Sequence, residues 1–238
     1  MEISKLSKLI TPSGTMAISN KARILREQGK PVIGFGAGEP DFPTPEYVVK
    51  DVQVAAEDTS NHKYSPVAGL TILKEEIVRT SKLYSGINVQ QENILVSNGG
   101  KHAILTTFMS ILNPGDEVLI PSPYWTTYPE AVKISGGNPI IVDTEFDDDF
   151  KVNTDQLDAL KTSKTKILVW VSPSNPTGVV YTKEEAEKIY NWAFENNVWI
   201  LSDELYEHLV YEGMTSPSTA QYDTELNNTI IINGVAKA

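Results

Sequence analysis

The chain contains no cysteine. That excludes disulfides, thiolate nucleophiles and cysteine-ligated zinc or iron–sulfur sites. Histidine is nearly as scarce: His62, His102 and His208 lie far apart, and none forms the paired spacing of a zinc hydrolase. Positive charge is short too. Twenty Lys and Arg face 31 Asp and Glu, giving a formal charge of −11. A nucleic-acid binder needs the opposite balance to neutralise phosphates. Only three arginines occur, Arg23, Arg26 and Arg79, all in segments patterned as amphipathic helices. Long apolar runs are also absent. Stretches such as residues 167–171 span about five residues, far below the ~20 a membrane-spanning helix requires. The first eight residues lack the apolar core of a signal peptide, so the expected location is the cytoplasm.

What is present is an ordinary globular composition over 238 residues, 40% apolar and 21% charged. That length is enough for one or two domains with a substantial core. Short runs rich in Val and Ile predict strands at residues 31–35, 93–97, 117–121, 139–143, 166–172, 198–202 and 229–233. Their near-continuous hydrophobicity suits strands buried on both faces. Helices are predicted at 16–28, 45–57, 70–84, 101–112 and 183–195. Thr44 is read as the cap of the second, and Thr182 with Glu185 as a capping box for the last. The alternation predicts an α/β fold: a mostly parallel, seven-stranded-type sheet with helices on both faces.

Ligands of such sheets bind outside the carboxyl ends of the strands. Five clusters fall there: Gly99-Gly100-Lys101, Pro123-Tyr124-Trp125, residues 173–178, Asp203-Glu204-Leu205-Tyr206 and Gly234-Val235-Ala236-Lys237. Gly34, Gly36 and Gly38 do not complete a dinucleotide fingerprint, because Glu39 stands where its third glycine belongs. Gly99-Gly100-Lys101 is either a plain tight turn or the start of a helix that offers its free amides to an anion. Asp203 is either a solvated strand-end acid or a charge held against a protonated ring nitrogen. Lys237 is either a surface lysine or an amine among small neighbours that favours a Schiff base. Trp125 and Tyr64 read equally as structural aromatics or as aromatic faces beside a flat ligand.

Taken together, seven segments resemble the fold-type I, class I/II pyridoxal-phosphate-dependent aminotransferases, and within them the bacterial aspartate subgroup. They are Ala37-Gly-Glu-Pro-Asp-Phe42, Lys63-Tyr-Ser-Pro-Val-Ala-Gly69, Gly99-Gly-Lys101, Ser122-Pro-Tyr-Trp125, Ser174-Asn-Pro-Thr-Gly178, Ser202-Asp-Glu-Leu-Tyr-Glu-His208 and Asn233-Gly-Val-Ala-Lys-Ala238. The resemblance implies that Lys237 carries the cofactor, pyridoxal 5′-phosphate, and later shuttles the proton. It implies that Asp203 pairs with the ring nitrogen, that Asn175 and Tyr206 donate to the ring oxygen, and that Trp125 stacks on the ring. Gly100 and Lys101 would cradle the phosphate, and Tyr64 would reach the cofactor of a second subunit, so a homodimer is expected. Gly38 would lie against the substrate carboxylate, with Ser13, Thr15, Lys101, Trp125 and Asn175 completing the substrate site.

The expected reaction moves an amino group between an L-amino acid, aspartate by subgroup, and a 2-oxo acid such as 2-oxoglutarate. Aromatic or kynurenine-type transamination and β-lyase chemistry remain open on the same scaffold, as does a noncatalytic chain. No metal is expected. The resemblance divides the chain into an N-terminal arm and small-domain segment, residues 1–44, and a cofactor domain, 45–238. Two family arginines, one for phosphate and one for the α-carboxylate, have no counterpart among Arg23, Arg26 and Arg79. The 238 residues are therefore expected to be truncated before a C-terminal small domain, and inactive alone.

Overall fold

The computed structural model describes residues 2–12, 14–36, 38 and 42–237. Five strands form one parallel sheet: β1 (Glu117–Pro121), β2 (Asn138–Val142), β3 (Thr165–Val171), β4 (Trp199–Asp203) and β5 (Thr229–Ile232). Their order is β2-β1-β3-β4-β5. The chain moves outward from β1 to β2, then returns across β1 to build β3, which places a topological switch between β1 and β3.

Seven α-helices accompany the strands: α1 (Gly14–Glu27), α2 (Glu46–Glu57), α3 (Thr71–Tyr84), α4 (Gly100–Ile111), α5 (Thr127–Ile134), α6 (Thr154–Leu160) and α7 (Lys183–Glu195). Alternate residues of each strand enter different cores. On one face Leu119, Val142, Leu168, Trp170 and Ile200 pack with Leu157 of α6 and with Ala186, Ile189 and Trp192 of α7. On the other, Val118, Ile120, Ile167, Val169, Leu201 and Ile232 pack with Ile104 and Phe108 of α4 and with Tyr128 and Val132 of α5. Two filled faces explain why the strands read as unbroken apolar runs. Each fully buried large side chain adds roughly 1.5–3 kcal/mol of transfer free energy.

Local signals locate several helix ends. Thr182 accepts from the Glu185 amide at 3.2 Å while the Glu185 carboxylate accepts from the Thr182 amide at 2.6 Å, forming the expected capping box. Asn153 and Gln156 form another at the start of α6. Thr44 does not cap α2: Pro45 holds that position, and its carbonyl accepts from the Val48 and Val49 amides. Gly137 is required by crowding, since a Cβ there would stand 2.9 Å from Leu112 and 3.0 Å from Val132.

The sheet has five strands among the described residues, where seven were expected. Asn93 closes a 3-10 turn, Gln91–Asn93, and residues 94–97 form no strand: the Val96 amide bonds to the Ala68 carbonyl, and no ladder follows. Residues 31–35 are likewise unpaired, with Ile33 and Phe35 exposed. β-Rich composition makes a strand only where a neighbouring backbone accepts its hydrogen bonds. Conversely, α5 and α6 emerge from segments without a predicted helix.

Candidate active site

The carboxyl ends of the strands and the N-terminus of α4 supply one cluster. β4 ends at Asp203, registered against Val171 of β3 and Ile232 of β5. Asp203 is therefore the last strand residue rather than the first loop residue, and is only 5% exposed. Its Oδ2 accepts the phenol of Tyr128 at 2.6 Å and its Oδ1 accepts the Leu205 amide at 3.2 Å. No ion pair reaches it among the described residues. Burial pushes its pKa upward against the opposing pull of the Tyr128 and Leu205 hydrogen bonds. A buried carboxylate in this state favours a cation brought from outside.

Tyr128 lies in the first turn of α5, fully buried, and sequence reasoning did not single it out. Burial, then the Asp203 charge, raises its pKa well above the ordinary phenol value, so it remains a donor. Its ring meets Trp125 edge to face, with centroids 5.7 Å apart. Lys101 places its ammonium 5.4 Å from the Trp125 ring centroid. Lys101 belongs to the first turn of α4, where the free amides already carry partial positive charge and where no acidic residue stands. Gly99 enters this helix at φ +80, a conformation that favours glycine. Gly100 lies against Leu205 and Ile232, so the helix start abuts the ends of β4 and β5.

A second cluster joins distant parts of the chain. The Lys237 ammonium donates to the Gly38 carbonyl and lies 6.0 Å from the centroid of the Tyr206 ring. The Tyr206 hydroxyl is 3.8 Å from where a Cβ on Gly38 would stand. Burial, then the Asp203 charge, raises the Tyr206 phenol pKa and links the two clusters electrostatically. Leu205 is a further residue the sequence did not flag. It touches the positions of both Gly100 and Gly234, and so spaces the helix start from the segment carrying Lys237.

Asn175, Tyr64 and Thr15 make no side-chain hydrogen bond or ring contact with either cluster among the described residues. Asn175 sits half-buried in a closed turn after β3, where the Gly178 amide bonds to Ser174 and the Ser174 amide to Val179. Its side chain makes no hydrogen bond among the described residues. Tyr64 is fully exposed, and Thr15 is exposed in the first turn of α1. Ser13 lies outside the described residues. No group of three or more His, Asp or Glu forms a metal site among the described residues. None of the described helices is long and apolar enough to cross a membrane.

These features fit a phosphorylated pyridine. A buried carboxylate with no cationic partner among the described residues suits a protonated ring nitrogen, an acid-free helix start suits a phosphate, an aromatic ring stands beside them, and a lysine follows the neighbouring strand. The chain belongs to the class I and II aminotransferase family, whose model matches residues 30–238. Members of that family depend on pyridoxal phosphate. Among relatives, the chain is 48% identical over 229 residues to an aspartate aminotransferase of Streptomyces avermitilis, covering 96% of this chain and 56% of the relative. It is 43% identical to an aspartate aminotransferase of Geobacillus stearothermophilus, covering 100% of this chain and 61% of the relative. A solved aspartate aminotransferase of Thermus thermophilus with maleate superposes with a TM-score of 0.93 at 38% identity, over 100% of this chain and 61% of that one. The chain thus spans less than two thirds of the length of these relatives.

Proposed function

We propose that this chain provides the cofactor-binding part of an aspartate transaminase, a pyridoxal-phosphate enzyme acting on aspartate and 2-oxoglutarate. The observation that carries the reading is Asp203: a buried carboxylate at a strand end, held by Tyr128 and without an ion-pair partner among the described residues. The names of the relatives support aspartate, and the maleate with which the Thermus enzyme was solved is a dicarboxylate like the proposed substrates.

Bound pyridoxal phosphate would supply an electron sink for charge developing at the substrate's α-carbon. Asp203 would hold the ring nitrogen protonated, with Tyr128 fixing its carboxylate. The Gly100 and Lys101 amides would take the phosphate, and Trp125 would cover one ring face. Asn175 and Tyr206 would donate to the ring oxygen. Lys237 would attach the cofactor and, once released, move a proton to and from the α-carbon through Nζ. The Gly38 backbone would face the α-carboxylate. Ser13, Thr15 and Lys101 would face the distal one, the last as a cation beside Trp125.

The same reading divides the chain at residue 44 into arm and cofactor domain, and makes the protein a cytoplasmic homodimer. The full exposure of Tyr64 supports a reach toward a second subunit. The test is a transamination assay on the full-length protein with aspartate, alanine and aromatic donors, beside borohydride reduction and peptide mapping. Turnover preferring aspartate and a label on Lys237 is the expected result. A label on another lysine overturns the assignment of Lys237.

A further inference from the structure

Immediately after Asp203 the chain buries a second carboxylate. Glu204 is 3% exposed. The hydroxyls of Ser202 and Ser218 both donate to its Oε1, at 2.7 and 2.6 Å. Its backbone amide donates to the Ile232 carbonyl of β5 at 2.9 Å. Glu204 thereby ties the end of β4 both to β5 and to the segment beginning at Ser218, whose hydroxyl also accepts from the Ala220 amide at 3.2 Å.

No cation pairs with it among the described residues. The charged groups facing it are Asp203, on the end of β4, and Glu207, in the following turn. Glu207 is itself occupied by Ser85 beyond the end of α3, by Asn233 beyond β5 and by His208 at 3.6 Å. From α5, Tyr128 faces Asp203 rather than Glu204. With two donors converging on Oε1, the other oxygen is available to carry a proton.

We propose that Glu204 is a positioning residue of the cofactor site, anchoring the strand end that aims Asp203 and releasing a proton when a cation binds opposite Asp203. The physical reason is burial without a cation. Lost hydration disfavours ionising Glu204, the Glu207 and Asp203 charges add to that cost, and a positive charge arriving opposite Asp203 lowers it. Burial, opposed by the two serine hydroxyls and aided by Glu207 and Asp203, pushes the Glu204 pKa up to about 7, where such a proton is exchangeable. The inference rests on the cofactor reading above in taking a pyridinium as the cation.

The test is calorimetry of pyridoxal phosphate binding to the cofactor-free full-length protein, in buffers of different ionisation enthalpy, from pH 5.5 to 8.5. Glu204→Gln preserves the shape and mimics the protonated acid. Near pH 7 the wild type is expected to release a few tenths of a proton more than Glu204→Gln. Ser218→Ala withdraws one hydroxyl that favours the ionised form, and moves the pH of greatest release upward. Equal proton release in wild type and Glu204→Gln overturns the proposal. If the wild type binds no pyridoxal phosphate, the cofactor reading fails instead, and a second measurement decides for Glu204. A carboxyl whose folded pKa is raised contributes stability that is full below its ordinary value and lost as pH rises through the folded one. The urea midpoint of the cofactor-free wild type should therefore fall relative to that of Glu204→Gln between pH 5 and 8. Parallel midpoints overturn the proposal independently of the cofactor.

Discussion

The sheet and the helices that precede it are built differently. From α4 onward, side chains such as Phe108, Leu168, Trp170 and Leu201 are sealed in two cores. In α1, α2 and α3 no residue is buried, and Met16, Ile18, Val52, Val54 and Ile72 lie exposed. These helices are amphipathic all the same. The first region completes its own packing, whereas the second carries apolar faces that its own fold leaves in solvent. The difference also divides the proposed site: Asp203 and Trp125 are set by the sheet region, while Gly38, Tyr64 and Thr15 belong to the preceding one.

That division can be attacked by substitution. In the full-length protein, Lys237→Ala should reduce transamination by roughly 10²–10⁴-fold, the usual range for removing an acid–base group, as read by initial rates with aspartate. Leu168→Ala in the sheet should cost about 2–5 kcal/mol of stability by urea titration, because the cavity lies between filled layers. Ile18→Ala, on exposed α1, should stay within about 0.5 kcal/mol in the same titration when the protein is monomeric. Similar losses for these two would erase the contrast between the regions.

Smaller effects sharpen the comparison. Asp203→Ala should lower turnover far more than it lowers cofactor retention, since the proposed phosphate contacts, at Gly100 and Lys101, lie elsewhere. Near-wild-type turnover with bound cofactor would contradict the role given to Asp203. Lys101→Ala should reduce kcat/KM for aspartate by about tenfold to a hundredfold, the equivalent of a charge-assisted hydrogen bond of roughly 1.5–3 kcal/mol, and spare alanine. An equal loss for both substrates would assign Lys101 to the phosphate instead. Among the site substitutions the smallest effect is expected for Tyr64→Phe: about 1 kcal/mol, or several-fold, in cofactor affinity. It should appear only at protein concentrations where the dimer forms, checked by fluorescence titration beside sedimentation.

The sheet strands were legible in the sequence because burial on both faces leaves a run such as residues 167–171 no polar interruption. α7 was legible because its capping box and apolar spacing agree. The false strands at 31–35 and 93–97 have the same local composition, and what they lack is a partner, which no local pattern records. α5 was hidden because Pro129 falls in its first turn, and α6 because seven residues hold too little periodicity. Site residues that follow strands were readable from their position. Tyr128 was not, since its role depends on an Asp203 contact across 75 residues of sequence. Its one local signal was a tyrosine three residues after Trp125. Glu204 announced itself only as a second acid beside Asp203.

The hydrogen bond from Lys237 to Gly38 spans 199 residues. During synthesis, β1 to β4 and the helices between them can leave the ribosome before Lys237 exists to meet Gly38. The lysine cluster is thus finished only after β1 to β4 have been made. A cell that halts translation before residue 237 would hold a chain with most of its strands and no lysine at Gly38.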